Sequence, residues 1–352
     1  MTGFLSRRDV LVSIYIAVAI AALSLAVEYR FFLIPSGLNI SNTLLPWNSS
    51  SSSYLRAFAV AAGNSLAAGI TSIVFCTLIG VALGIVGFIP SKPVNTIYRL
   101  YLGAFRNIPA LFVVMLFYFA GLALPRPADA LGVLDVVYFS NRSVVFPNVT
   151  VGQVGVLQIT LLFAAAAAVV VPIKLWMRLA AAVGFVLTFV VLTFGAEPPV
   201  LGRFGFVSGI AMPIEFVALT IALSLYYSVE IAEVTRGSIL SIDKGITDAG
   251  RALGLNASDR FRYILWPLAL RFGLPSALNT YLVVLKATSL GVAIGFVELF
   301  AVTRLSIAAS GRVIECLALL SLFYLTICWS FSLAANRLAD RMKLPNDRLQ
   351  GR

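Results

Sequence analysis

Lys286 and Glu298 place an ammonium and a carboxylate inside a long run of apolar residues. A charge in hydrocarbon is costly and is kept only with a partner. On one continuous helix the two would point about 120° apart, too far round to pair. Each therefore needs another group. A zwitterionic amino acid carries both complements, a carboxylate and an ammonium. An interhelical or intersubunit bond would serve as well, and Glu298 could reach towards the headgroups. Ser289 and Thr288, beside Lys286, can bond a ligand or their own backbone carbonyls. Asn64 and Glu315 are further polar residues within apolar segments.

A second constellation is the stretch KGITDAGRALGLNASDRFRYILWP, residues 244–267, the longest polar run among greasy neighbours. Thr247 and Asp248 can cap and start a short helix. Gly254 can end it in the left-handed conformation, with Leu255 placed for the accompanying apolar contact. Asn256 or Ser258 can cap a second helix, which Pro267 interrupts. The small residues Ala249, Gly250, Ala252 and Gly254 would let another backbone approach closely. Spacing alone allows a docking knob or an ordinary surface helix pair.

The elements that must position these residues are membrane helices. Of 352 residues, 60% are apolar and only 12% charged, and the mean hydropathy is +0.97. A soluble domain is nearer a quarter charged, so most of this surface must face lipid. The expected class is all-α integral membrane, with about eight transmembrane helices near 10–27, 57–88, 105–124, 154–172, 176–195, 210–233, 274–300 and 313–335. The first segment could also be a signal peptide, with Ser24–Ala26 as its cleavage site. Lys286 then falls about a dozen residues into its helix, and Glu298 nearer the far end. Arg106 and Pro109 mark a helix start. Gly80 with Gly84, and Gly291 with Gly295, form small-residue packing faces.

Charge sets the orientation. Eighteen of the 26 lysines and arginines fall in segments that lie inside if the N-terminus is inside, and seven fall outside. Both termini and the 244–267 stretch are therefore expected in the cytoplasm. The net charge of +11 reads as topology and anionic lipid, not nucleic acid. With no histidine, imidazole chemistry is absent, and Cys76, Cys316 and Cys328 lack metal-ligand spacing. No metal or cofactor is expected in this chain. The dipeptide Gly-Lys never occurs, so a Walker A loop is excluded. An intramembrane enzyme finds no clustered carboxylates or nucleophile–base pair. Outside, 48–56 reads as a polar linker and 126–150 as a partly β-prone loop. No internal repeat is evident.

The 244–267 stretch resembles the coupling loop of ABC importer permeases, which runs Glu-Ala-Ala, three residues, Gly, nine residues, Ile, one residue, Leu-Pro. Asp248, Ala249 and Gly250 match the triplet, Gly254 is in register, and Ile264, Leu265 and Pro267 follow. The departures are Asp for Glu, Gly for the second Ala, and Trp266 for the penultimate Leu. The lead-in 233–245, the following segment 266–299, Phe105–Phe119 and Gly63–Leu66 resemble polar amino acid permeases of the histidine, glutamate, glutamine and arginine type. The extra helix and the inserted pair resemble the longer general L-amino acid and glutamate/glutamine permeases.

The resemblance implies a type I ABC importer (binding-protein-dependent permease) core in the bacterial inner membrane. Its layout is an N-terminal extra helix and outer linker (1–56), core parts at 57–124 and 210–335, an outer loop with inserted helix pair (125–209), a cytoplasmic coupling loop (234–271) and a tail (336–352). It implies ABC ATPase subunits that bind ATP and magnesium, a second permease chain, an external amino acid binding protein and membrane lipid as partners. The substrate pathway would include Lys286, Ser289, Glu298 and Asn64. The rival is a self-sufficient secondary transporter driven by H⁺ or Na⁺, which leaves the loop unexplained.

Overall fold

The structure, a computed structural model, describes residues 28–40, 46–89, 91–134, 136–151, 194–202 and 205–342. The spans expected at 10–27, 154–172 and 176–195 lie outside the described residues, as do the signal-peptide alternative and most of the C-terminal tail. The chain divides into two compact units, one of residues 1–118 with 218–352 and one of residues 119–217.

The first unit is helical. Its described helices include α1 (Tyr54–Val86), α2 (Lys92–Arg106), α3 (Ala110–Leu122), α4 (Ile214–Leu240), α5 (Lys244–Ala252), α6 (Ala257–Arg260), α7 (Trp266–Ala287), α8 (Leu299–Ser310) and α9 (Val313–Met342), of which α3 and α4 run on into the second unit. Among the described residues, four helical stretches are long and apolar enough to cross a membrane: Tyr54–Val86, Ile214–Leu240, Ala257–Ile294 and Val313–Leu333. They correspond to four of the expected spans.

Two expected spans are corrected. The span at 105–124 is not one helix beginning at Arg106. Arg106 ends α2, and α3 begins after Pro109, bent by 97° to α2. Pro109 lacks an amide proton and suits a helix start, so the chain turns there. The span at 274–300 is also broken. α7 stops at Ala287, a 3₁₀ turn covers Thr288–Ile294, Gly295 is left-handed at φ +79°, and α8 begins at Leu299. Gly295 is therefore a turn residue, with open space where its Cβ would be, and it makes no packing face with Gly291.

The packing of α1 is what a lipid-surrounded helix needs. Its buried side holds small and polar residues, among them Asn64, Ser65, Ala68, Ser72, Cys76, Gly80 and Gly84. Its large residues Ile70, Val74, Phe75 and Leu78 are exposed. Greasy side chains gain nothing by leaving lipid for protein, whereas small ones let backbones close up. At Gly84 an added Cβ would stand 2.6 Å from Thr235 Cβ and 2.8 Å from the Ala232 carbonyl, and Gly80 meets Ile231 likewise. This pair is the expected helix-packing face. Beyond it, Arg236 Nε donates to the Gly87 carbonyl (3.0 Å), tying α4 to the end of α1. The Tyr101 hydroxyl bonds Ser228 (2.9 Å), and Arg106 pairs with Glu233 (2.7 Å), holding α2 along α4.

The second unit contains strands. β1 (Leu131–Val133), β2 (Val137–Phe139), β3 (Ser143–Phe146) and β8 (Ile210–Pro213) form one antiparallel sheet in that order. Two-stranded ladders join β4 (Asn148–Val151) to β5 (Phe194–Glu197) and β6 (Leu201–Gly202) to β7 (Gly205–Phe206). The β-prone outer loop is thus part of a sheet completed by a strand over sixty residues away, and the chain is mostly rather than wholly helical.

Gly84→Val is expected to cost ~1–3 kcal/mol by overpacking the α1–α4 contact, lowering the detergent melting temperature by size exclusion after heating. Gly63→Ala, with nothing within 4 Å of its Cβ, should melt unchanged or later. Equal melting of Gly84→Val and wild type would contradict this packing.

Candidate functional site

The 244–267 stretch folds as a helix–turn–helix knob. Its first helix starts earlier than Thr247 and Asp248 suggest. The Asp243 carboxylate accepts the Gly245 amide (2.7 Å) and caps α5. Asp248 lies inside α5 and pairs with Arg251 one turn on (3.0 Å), both exposed. Gly254, at φ +76°, closes α5. Its amide bonds the Arg251 carbonyl (2.9 Å) and the Leu255 amide bonds the Gly250 carbonyl (3.1 Å), the paired bonds of a glycine helix end. Asn256 caps α6, accepting the Asp259 amide (2.8 Å) and donating to its carboxylate (2.7 Å).

Pro267 does not interrupt the second helix as expected. A wide π turn at Phe261–Leu265, closed by the Trp266 amide on the Phe261 carbonyl, leads into α7 with Pro267 in its first turn. The chain is helical on both sides of Pro267, and the wide turn lies where its missing amide proton would have bonded.

The motif residues divide into those that seat the knob and those it presents. Gly250 is buried, and a Cβ there would stand 2.8 Å from Ile264 Cδ1 and 3.3 Å from the Arg260 stem. Ile264 thus needs a glycine or a small shift opposite it. Leu265 is buried with Ala269 against Ile239 and Ile242 at the end of α4. The knob is therefore fastened to both α4 and α7. Outward, Ala249 and Gly254 are exposed. So are Ile246 at 43% and Leu253 at 79%. Ile246, Ala249 and Leu253 follow helical i, i+3, i+7 spacing and share one face. Ile246 and Leu253 were not singled out from the sequence, although that spacing is the signal that marks them.

The candidate pathway residues separate. Lys286 is exposed, in the last turn of α7 rather than partway along it, and has no ion partner among the described residues. Ser289 Oγ donates to the Lys286 carbonyl (2.8 Å) and Thr288 Oγ1 to that of Leu285 (2.8 Å), so both hydroxyls bond backbone. Glu298 is not on the helix of Lys286. It is fully buried and caps α8, accepting the amides of Phe300 (2.8 Å) and Ala301 (2.7 Å). Ser65 of α1 accepts the Leu299 amide (3.0 Å), and Asn64 donates to the Val297 carbonyl (2.8 Å). Asn64, Ser65 and Glu298 thus converge on the break after Gly295. Glu315, also buried, pairs with Arg312 (3.2 Å), which reaches Glu28 too.

One polar feature went unread in the sequence. An open groove of about 330 Å³ between α4 and α7 is lined by Glu230, Glu233, Ser276, Asn279, Thr280 and Val283. Positions 276, 279, 283 and 286 share one helical face, so Lys286 continues the α7 wall of this groove by one turn.

No family model matches the chain. It is 33% identical, over 93% of its length and 86% of the relative's, to the general L-amino acid transport system permease protein of Rhizobium johnstonii. It is 32% identical, over 80% of its length and 77% of the relative's, to a putative amino-acid ABC transporter permease protein of Escherichia coli. The chain belongs to the amino acid ABC transporter permeases. The permease fold is also that of the crystal structure of an amino acid ABC transporter with histidines, at a TM-score of 0.52 and 17% identity over 82% of this chain and 95% of that one. As its relatives and its apolar helices agree, the permease is a multi-pass membrane protein.

Removing the Glu298 cap should strand the buried Ala301 amide and the part-buried Phe300 amide at ~1–3 kcal/mol. Glu298→Ala is expected to melt well below Glu298→Gln, which keeps an acceptor, in the same heating assay. Equal melting of the two variants would remove the capping role. Glu298→Gln melting like wild type while losing uptake would give the charge a role beyond the cap.

Proposed function

We propose that the permease is the membrane-translocation subunit of an ATP-driven amino acid importer, coupled to a separate ATPase through the 244–267 knob. The observation that carries this is the outward face of Ile246, Ala249 and Leu253 on a knob whose root, Leu265, is packed against both α4 and α7. A push on such a face reaches two membrane helices through packed side chains rather than through slack backbone. The relatives that cover most of the chain are amino acid permeases, which supports the same reading.

The ATPase subunits bind ATP and magnesium, and their closure moves the knob and swings the permease between inward- and outward-facing states. The remaining partners are a second permease chain, an amino acid binding protein outside and lipid. The excess of Lys and Arg puts both termini and the knob in the cytoplasm, and the membrane is the bacterial inner membrane. The solute path runs along the α4–α7 groove, where Lys286 meets the carboxylate of an amino acid and Asn279 and Ser289 offer hydrogen bonds. Glu298 and Asn64 shape the path by holding the break beside it. A self-sufficient secondary transporter is not favoured, since it leaves the knob's apolar outer face without a role.

The test is purification of the tagged permease from its native host in mild detergent. A stoichiometric ATPase should co-purify, and Leu253→Asp or Gly254→Asp should lose it while inserting normally, with amino acid uptake falling at least ~10-fold. Uptake and ATPase retention unchanged in Leu253→Asp would overturn the docking role.

A further inference from the structure

We propose that the cavity between α2 and α4, at the end of α4 nearest the knob, seats the phosphate of an anionic phospholipid headgroup. The cavity holds about 350 Å³ and is lined by Asn95, Tyr98, Arg99, Glu233 and Arg236, with Leu102 and Gly237 closing it. Arg236 lies one turn before α4 ends at Leu240, where a membrane helix meets the headgroups.

The charge on offer is positive. Lys92, Arg99 and Arg106 recur every seven residues along α2, two helical turns apart and so on one side of it. Arg106 is taken by Glu233 at 2.7 Å, which neutralises the carboxylate in the lining. Arg236 spends its Nε on the Gly87 carbonyl (3.0 Å), which fixes the guanidinium and leaves its terminal nitrogens without a partner among the described residues. Arg99 is exposed and has no ion partner there either. Two guanidiniums with unspent donors around one cavity suit a phosphate oxygen set.

The lipid source follows from the neighbouring surface. Ile97 is 68% exposed and Leu100 74% exposed, on the side of α2 turned about 100–160° away from Arg99. A free phosphate has no use for them, whereas a helix that lays such a side into the bilayer holds its basic side at the level of phospholipid headgroups. A lipid held there bridges α2 to α4, one turn from the root of the knob.

The experiment is native mass spectrometry of the purified full-length permease with added phosphatidylglycerol or phosphatidylcholine, with and without millimolar inorganic phosphate. Phosphatidylglycerol should be retained and phosphatidylcholine lost. Arg99→Gln should weaken retention roughly tenfold, the loss of one charge-assisted contact, and Arg99→Lys should keep most of it. Both variants should melt as wild type does, since Arg99 bonds nothing among the described residues. Equal retention of the two lipids, or an unchanged Arg99→Gln, would overturn the proposal. Displacement of phosphatidylglycerol by inorganic phosphate would assign the site to a free anion. An ATPase that leaves with Arg99→Gln while lipid retention is untouched would assign it to a protein partner.

Discussion

A backbone broken inside hydrocarbon has no water to satisfy it, so every break must be repaired by side chains from elsewhere in the protein. The permease breaks its chain after α7, where Gly295 turns left-handed and α8 starts afresh. The repair comes from three residues. Ser65 takes the first amide of α8 at Leu299, Glu298 takes the next two at Phe300 and Ala301, and Asn64 supplies a donor to the Val297 carbonyl. Two of the three sit on α1, so the break exists only because α1 lies alongside it. The approach of α1 depends in turn on the small residues that line its buried side.

The same economy of space governs the other end of the bundle. Gly80 and Gly84 bring α1 against α4, Arg236 ties α4 back to the end of α1, and Glu233 anchors α2 through Arg106. On α1 the large side chains Ile70, Val74, Phe75 and Leu78 are left on the outside, where lipid accepts them at no cost. The α1–α4 contact is held by glycines and single hydrogen bonds, while a separate apolar cluster that includes Phe31, Phe58, Val60 and Leu299 packs where α1 meets α8. That makes the assembly sensitive to added volume and to lost acceptors, and far less so to which large residue faces lipid.

The knob shows how a short polar loop becomes a mechanical part. Its own turns are secured locally, by Asp243, Gly254 and Asn256. Its attachment is secured by a small apolar cluster in which Leu265 packs on α4. The residues conspicuous by charge, Asp248 and Arg251, pair with each other on the surface and seat nothing. The face left for a partner is apolar. Gly250 fits closely against Ile264, whose Cδ1 would have to shift to admit a Cβ there.

Much of this was legible in the sequence because it depends on local facts. Hydropathy over twenty residues decides whether a segment can live in lipid, and the spans expected at 57–88, 210–233 and 313–335 stand as long helices. Glycine, asparagine and the spacing to Ile264 and Leu265 specify the knob's turns, since a left-handed residue and a capping side chain act within four positions of themselves. The Gly80–Gly84 face was readable for the same reason. What the sequence could not decide is where an apolar run breaks. Residues 274–300 read as one helix, and only the α1 side chains, 233 residues away in the case of Asn64 and Val297, make the interruption affordable. That break moved Glu298 from a membrane charge in search of a partner to the cap of a helix, and left Lys286 at a helix end, one turn beyond the residues that line a polar groove. Likewise Arg106 read as the mark of a helix start until the fold ended α2 there and brought Glu233 to it. Local chemistry chose the elements; the tertiary structure chose which polar groups were left over to act.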